Sequence, residues 1–203
     1  MTDLRTNYQV RHQKALTPVA SALAANIAEI LSGTSRIDRV SARPKSVDRF
    51  MGKAEKKDGE KFKYEDPLNQ IQDQIGARII TFYSSDVPAI EEIILREFRP
   101  IESKYVVPQH QWEFGYFGRH HILLMPSDLF SAAEDKALVP EVFELQIKTL
   151  FQHAWSEAEH DLGYKPAEQP LEPEDERFLA FTSAQAWGAD RIFEDLFRKR
   201  SKV

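Results

Sequence analysis

Cysteine is missing from all 203 residues. That excludes disulfides, thiol nucleophiles and zinc–thiolate centres, and suits a reducing compartment. No apolar run approaches the roughly 20 residues of a membrane-spanning helix. The opening stretch, Met-Thr-Asp-Leu-Arg-Thr-Asn, has no apolar signal core. A cytoplasmic protein with no membrane partner is therefore expected. Internal repeats and low-complexity tracts are also lacking. Positive charge is in deficit: 27 Lys and Arg against 32 Asp and Glu leave a net charge of −5, which argues against a protein that coats duplex DNA. The deficit is uneven. Between Arg36 and Lys63 stand ten basic and five acidic residues, a local +5, and the remainder carries −10. A basic island on an acidic chain suits a small polyanion.

Length and a hydrophobic content of 42% fit one globular domain over residues 1–203. Residues 2–32 read as a helix, with Val19, Leu23, Ile27 and Leu31 repeating every four as an apolar stripe. That stripe would face either its own sheet or a partner. Strands are expected over Ile37–Ala42, Gly76–Tyr83, Ile101–Val107, His120–Met125 and Val142–Ile147. A helix is expected from Pro44, in its first turn, to about Lys57, followed by a polar loop through Asp66. Another helix is expected over Asp86–Phe98. Pro166–Pro173 reads as a linker and residues 174–199 as a final helix. Strands alternating with helices predict an α/β fold, one mixed sheet surrounded by helices with further helices at both ends.

Residues 142–165 carry the densest chemistry. From Val142 to Ile147 apolar and polar side chains alternate, which puts Glu144 and Gln146 on one face and Phe143, Leu145 and Ile147 on the other. In the helix that follows, His153, Glu157, His160 and Tyr164 are spaced four, three and four and share a face. Phe151, Trp155, Ala158 and Leu162 form a stripe expected to face the core. The His-x3-Glu-x2-His spacing also suits a metal in principle, but hydrogen bonding beside a ligand is the reading taken. Upstream, Lys45, Arg49, Lys53 and Lys56 fall at four, four and three on the expected helix. As like charges they repel one another, a penalty that a bound triphosphate would reverse. Asp73, just before a strand, and Glu144 supply two hard oxygen ligands of the kind Mg²⁺ takes.

Glu144-Leu-Gln-Ile-Lys-Thr149 followed by His153-Ala-Trp-Ser-Glu157-x-x-His160-x-Leu-x-Tyr164-Lys165 resembles the synthetase domain of the RelA/SpoT family. The resemblance runs from about Arg43 to Lys165 and takes in Arg43-Pro-Lys45-Ser46, Asp73-Gln-Ile-Gly76-Ala-Arg78 and Gly115-Tyr116-Phe-Gly-Arg-His120. It implies a nucleotidyltransferase-like α/β core over about 36–165. It also implies transfer of the β,γ-diphosphate of ATP to the 3′-hydroxyl of GDP or GTP, making ppGpp and pppGpp. By the same resemblance Arg43, Lys45, Ser46, Arg49, Lys53, Lys56 and Arg78 contact ATP. Asp73 and Glu144 hold Mg²⁺ and carry catalysis. Gly115, Tyr116, His120, Gln146 and Lys148 face the acceptor, with Tyr116 stacked on its base. Gly76 is expected to let the chain turn tightly into its strand.

One segment departs from the family pattern. Where relatives have Lys-Pro-Asn before Gly-Tyr, this chain has His110-Gln-Trp-Glu-Phe114. The amide and the lysine are replaced, so weaker discrimination among purines is expected. Two alternatives stand beside guanine: the adenine nucleotides or tRNA 3′ ends used by toxin members of the family, and a non-catalytic nucleotide-binding module. The resemblance also admits a homo-oligomer or a paired antitoxin.

Overall fold

The computed structural model describes residues 2–107, 110, 113–115, 118–163 and 171–201. The N-terminal helical stretch comprises α1 (Thr2–Arg11), a π-helical turn (His12–Leu16) and α2 (Thr17–Ile30). Pro18 cannot donate to the Lys14 carbonyl four residues back, and that carbonyl instead accepts from the Glu134 N–H at 2.8 Å. Val19, Leu23, Ile27 and Leu31 are all buried in the core. Of the two expected uses of the stripe, folding onto its own sheet is the one observed.

The main sheet contains β1 (Ile37–Pro44), β4 (Ile75–Thr81), β5 (Pro100–Val106), β6 (Gly118–Leu124) and β7 (Val142–Thr149), in the order β1-β4-β7-β6-β5. β4 and β7 run parallel, and the other neighbours are antiparallel. A parallel pair needs a crossover. Here it passes through α5 (Asp86–Glu97) and the β5–β6 pair. One face is apolar, with Ala77, Ile79, Leu123, Leu145 and Ile147 packed into the core with Ile90 and Ile94 of α5. The opposite face is polar and carries the site.

Four local expectations are corrected. Pro44 is the last residue of β1, not part of a helical turn. β1 is an edge strand, where a missing N–H costs no ladder bond. The basic helix α3 is shorter than expected, spanning Val47–Ala54. Lys45 precedes it and Lys56 follows it, so the four cations are not one helical stripe. The polar loop contains a small hairpin, β2 (Lys57–Asp58) and β3 (Lys61–Phe62), turning at Gly59 with φ of 64°. A short helix, α4 (Pro67–Gln70), precedes β4. The last helices are α6 (Leu150–Gly163) and α7 (Pro173–Arg200). The α6 stripe faces α7, not the sheet core. Phe151 stacks on Phe193 at 5.5 Å, the Trp155 indole N–H donates to the Leu179 carbonyl at 3.2 Å, and Leu162 is exposed. Of the expected linker, residues 166–170 lie outside the described residues, Leu171 and Glu172 precede α7, and Pro173 already belongs to it.

Candidate active site

Strand register assembles the site from residues far apart in sequence. Arg43 pairs with Gly76, Gly76 with Glu144, and Glu144 with Ile122, which makes one row across the polar face. The neighbouring row is Ser41, Arg78, Gln146, His120 and Lys104. Period-two alternation places both rows on the same side. A cleft of about 500 Å³ opens over the β1–β4–β7 end, lined by Arg43, Lys45, Ser46, Arg49, Asp73, Gly76, Arg78, Glu144, Gln146 and His160 among others. A smaller hollow of about 260 Å³ lies over the β6–β5 end, lined by Gln72, Glu102, Lys104, Val106, His120, Ile122 and Glu144. Glu144 borders both.

Gly76 sits within β4, outside the left-handed region, so it does not serve the expected tight turn. A Cβ there would meet nothing within 4 Å. Its lack of a side chain leaves the floor of the cleft open between Arg43 and Glu144.

The carboxylates are held before any ligand arrives. Asp73 pairs with the Lys45 and Lys53 ammonium groups at 2.9 and 3.0 Å. Burial pushes its carboxyl up, but the two lysines outweigh burial and hold it below the ordinary range. Glu144, like Asp73, is half-buried. His120 Nδ1 lies 2.9 Å from its Oε1, and the Gln146 amide donates to its Oε2 at 3.1 Å. Burial raises its pKa, yet the contact with His120 lowers it more, so the carboxylate stays ionised. The nearby Asp73 acts in the opposite sense, which shows that the two carboxylates feel one another. Two mutually repelling hard-oxygen groups on one cleft fit a shared divalent cation. Gln146 Oε1 is buried with no hydrogen-bond partner among the described residues, so it can accept from a ligand.

Arg78 bridges to Glu157 of α6 at 2.7 Å. Burial raises the Glu157 carboxyl, and Arg78 and Arg43 more than offset this. α6 is thereby tied to the cationic wall, and its His160 reaches the cleft. His153 does not line the cleft, and burial lowers its pKa. Among the described residues no group of three or more His, Asp or Glu could hold a metal. Lys148 is 2% exposed beneath α6, donates to Ser156 Oγ at 3.1 Å, and is pulled down to about 8, mainly by burial. It lines neither hollow. Lys56 is exposed and lies away from the cleft lining. Gly115 offers its carbonyl to Ser183 of α7 at 2.7 Å. Tyr116 and Tyr164 lie outside the described residues.

Sequence reasoning missed the supports. The Tyr8 hydroxyl donates to the Lys45 carbonyl at 2.8 Å, and its ring stacks on Phe50 of α3 at 3.6 Å. Arg11 donates to Gln74 Oε1 at 3.0 Å, next to Asp73. α1 therefore braces both the cationic entrance and the acidic turn. Glu102, Lys104 and Gln72 of the second hollow were also missed. Alternation along β5 puts Glu102, Lys104 and Val106 on one face, the one signal that pointed to them.

The model of the region found in RelA / SpoT proteins matches residues 42–169. GTP pyrophosphokinase YjbM of Bacillus subtilis (strain 168) is 31% identical over 136 residues, a match spanning 64% of this chain and 58% of that protein's length. The small alarmone synthetase 1 of Bacillus subtilis superposes with a TM-score of 0.76 at 21% identity, over 99% of this chain and 100% of that one. A GTP pyrophosphokinase family protein from Streptococcus pneumoniae gives 0.72 at 21% identity, over 90% and 89%. These likenesses show a shared mixed-sheet α/β fold. With the family match covering well over half of its length and every sheet residue of the cleft, this chain belongs to the family of the RelA / SpoT region.

Proposed function

We propose that this chain is a pyrophosphokinase that moves the β,γ-diphosphate of ATP to the 3′-hydroxyl of a guanine nucleotide, GDP or GTP. The observation that carries this is the position of Glu144, an ionised carboxylate bordering two hollows at once. One hollow is walled by Arg43, Lys45, Arg49 and Arg78, a surplus of cations suited to a triphosphate. The other, smaller, adjoins His120 and Lys104 beside Val106 and Ile122 and suits a second ligand. A reaction between two bound molecules needs its charged group at such a junction. A relative bearing the name GTP pyrophosphokinase, and a small alarmone synthetase crystallised with pppGpp, support the same reading.

In this scheme the donor triphosphate lies along the cationic wall, and Lys45 and Lys53 turn from Asp73 to the phosphates. The acceptor 3′-oxygen attacks the β-phosphorus, the bond from that phosphorus to the α,β-bridging oxygen breaks, and AMP leaves. Glu144 Oε1, beside His120, would take the hydroxyl proton. Asp73 and Glu144 would hold Mg²⁺, which supplies charge neutralisation to the phosphates when bound. Fixed charge and positioning do the rest. Among the described residues no helix is long and apolar enough to cross a membrane, in keeping with soluble nucleotide substrates and a cytoplasmic setting.

Incubation with γ-labelled ATP and a panel of GDP, GTP, ADP, ATP and tRNA tests the assignment. Label should appear on GDP or GTP as a 3′-diphosphate with one AMP released per transfer. Transfer to adenine nucleotides or tRNA alone would favour the toxin-type alternative. Release of label as phosphate, with no acceptor modified, would sink the proposal.

A further inference from the structure

We propose that α7 is the positioning element of the acceptor loop, with Ser183 and Trp187 as its two contact residues. This rests on the pyrophosphokinase reading above. The family match ends at residue 169 and α7 begins at Pro173, so nothing in the match assigns a role to this helix. Ser183 is 3% exposed, and its hydroxyl donates to the Gly115 carbonyl at 2.7 Å. Gly115 directly precedes Tyr116, the residue proposed to stack on the acceptor base. One turn on, Trp187 meets the ring of Phe114 edge-on, with centroids 5.8 Å apart at 63°.

Residues four apart share a helix face, so the two contacts grip adjacent loop residues from one side. The next turn of the same helix supplies Asp190, whose Oδ2 accepts from the Thr149 hydroxyl at 2.8 Å. Thr149 ends β7, the strand that bears Glu144 and Gln146. One rigid helix therefore fixes the loop relative to the catalytic strand. The outer face of α7 is exposed, with Phe178, Phe181 and Ile192 each about three-fifths accessible. Its seat is set by these inward contacts together with the ring stacks of Phe193 on Phe151 and Phe197 on Tyr83. A loop released from them would have to be ordered at the acceptor's expense, which weakens acceptor binding and leaves the donor cleft untouched.

Steady-state kinetics of the full chain with GDP and ATP varied in turn test this, using Ser183→Ala, Trp187→Ala and Trp187→Phe, each checked by thermal melting. Ser183→Ala should raise KM for the acceptor roughly three- to ten-fold, the size of one neutral hydrogen bond, with KM for ATP within about two-fold. Trp187→Ala should show the same split, and Trp187→Phe, which keeps a ring for the edge contact, should restore most of it. If both Michaelis constants move together, only kcat falls, or neither changes while the unmodified protein turns over, the positioning role is wrong and the pyrophosphokinase reading stands. An unmodified protein that modifies no acceptor would overturn both.

Discussion

Glu144 is charged, half-buried and already engaged by two neighbours on its own sheet. Glu144→Gln is nearly isosteric and keeps an acceptor for His120. It should lower transfer by on the order of 10²–10⁴-fold with the thermal midpoint unchanged. Activity within a few-fold of the unmodified protein would remove Glu144 from the chemistry. Asp73 illustrates a different economy, since Lys45 and Lys53 neutralise it in the free protein. In the proposed scheme those lysines change partners when phosphates arrive, so they should act on the donor alone. Lys45→Ala with Arg49→Ala should raise KM for ATP by about ten-fold or more, on the order of 1.4 kcal/mol, and flatten its salt dependence. An effect confined to the acceptor would reverse the assignment of the two hollows.

At the level of elements, β4 contributes by what it omits. Gly76 leaves open the floor between Arg43 and Glu144, and a Cβ there meets no protein atom. Gly76→Val should therefore fold, since a β-branched residue suits a strand. It should cost ATP affinity by about ten-fold in calorimetric titration. A melting point several degrees lower with unchanged affinity would show that the space is not for ligand. α7 makes the contrary case, a helix carrying a charge it would be better without. Asp190 is 5% exposed, and burial, opposed only by the Thr149 hydrogen bond, raises its carboxyl to about 6. The unfolded carboxyl titrates lower, at 3.8, so between these values the folded state binds more protons. The favourable contribution is complete below the unfolded pKa and is lost as pH rises through about 6. Asp190→Asn keeps an acceptor for Thr149 and should stabilise by on the order of 1–3 kcal/mol at pH 7.5, with little effect at pH 4. Melting curves with equal gaps at both pH values would contradict this.

For the whole molecule, the two hollows are built unequally. The proposed donor side draws on β1, α3, β4, β7 and α6 and gathers the cations Arg43, Lys45, Arg49 and Arg78 around Asp73 and Glu144. The acceptor side depends on β5, β6 and a loop in which Phe114, where relatives carry an amide, turns to Trp187. An aromatic side chain committed to α7 reads no hydrogen-bond edge on a base. Under the proposed function, stacking by Tyr116 would then supply most of the recognition, worth on the order of 1–3 kcal/mol. Tyr116→Ala should lose about that much in kcat/KM for the acceptor, and Tyr116→Phe much less. Discrimination between guanine and adenine acceptors should be shallow, and a strict preference for GDP or GTP in competition assays would show that guanine is read elsewhere.

Several elements were legible in the sequence because their signals are local. The alternation of Val142–Ile147 put Glu144 and Gln146 on one face, and β7 has them there. The four-residue repeat of α2 marked a buried stripe, and the stripe is buried. The basic island of residues 36–63 contributes Arg43, Lys45 and Arg49 to the cleft wall, to which β4 adds Arg78. What spacing could not settle was whether neighbours in sequence remain in one element. Pro44 ended a strand instead of starting a helix, and so Lys45 and Lys53 reached Asp73 from different directions. Nor could spacing show contacts between residues far apart along the chain: Tyr8 under Lys45, Arg11 at Gln74, Ser183 at Gly115. Such contacts leave no periodic trace, because each depends on how whole elements pack and on a buried polar group requiring a partner wherever the fold provides one. Residue types and strand faces therefore follow from the sequence alone. Which carboxylate meets which cation, and which helix meets Gly115, were decided by the strand order β1-β4-β7-β6-β5 and by the terminal helices packed around it.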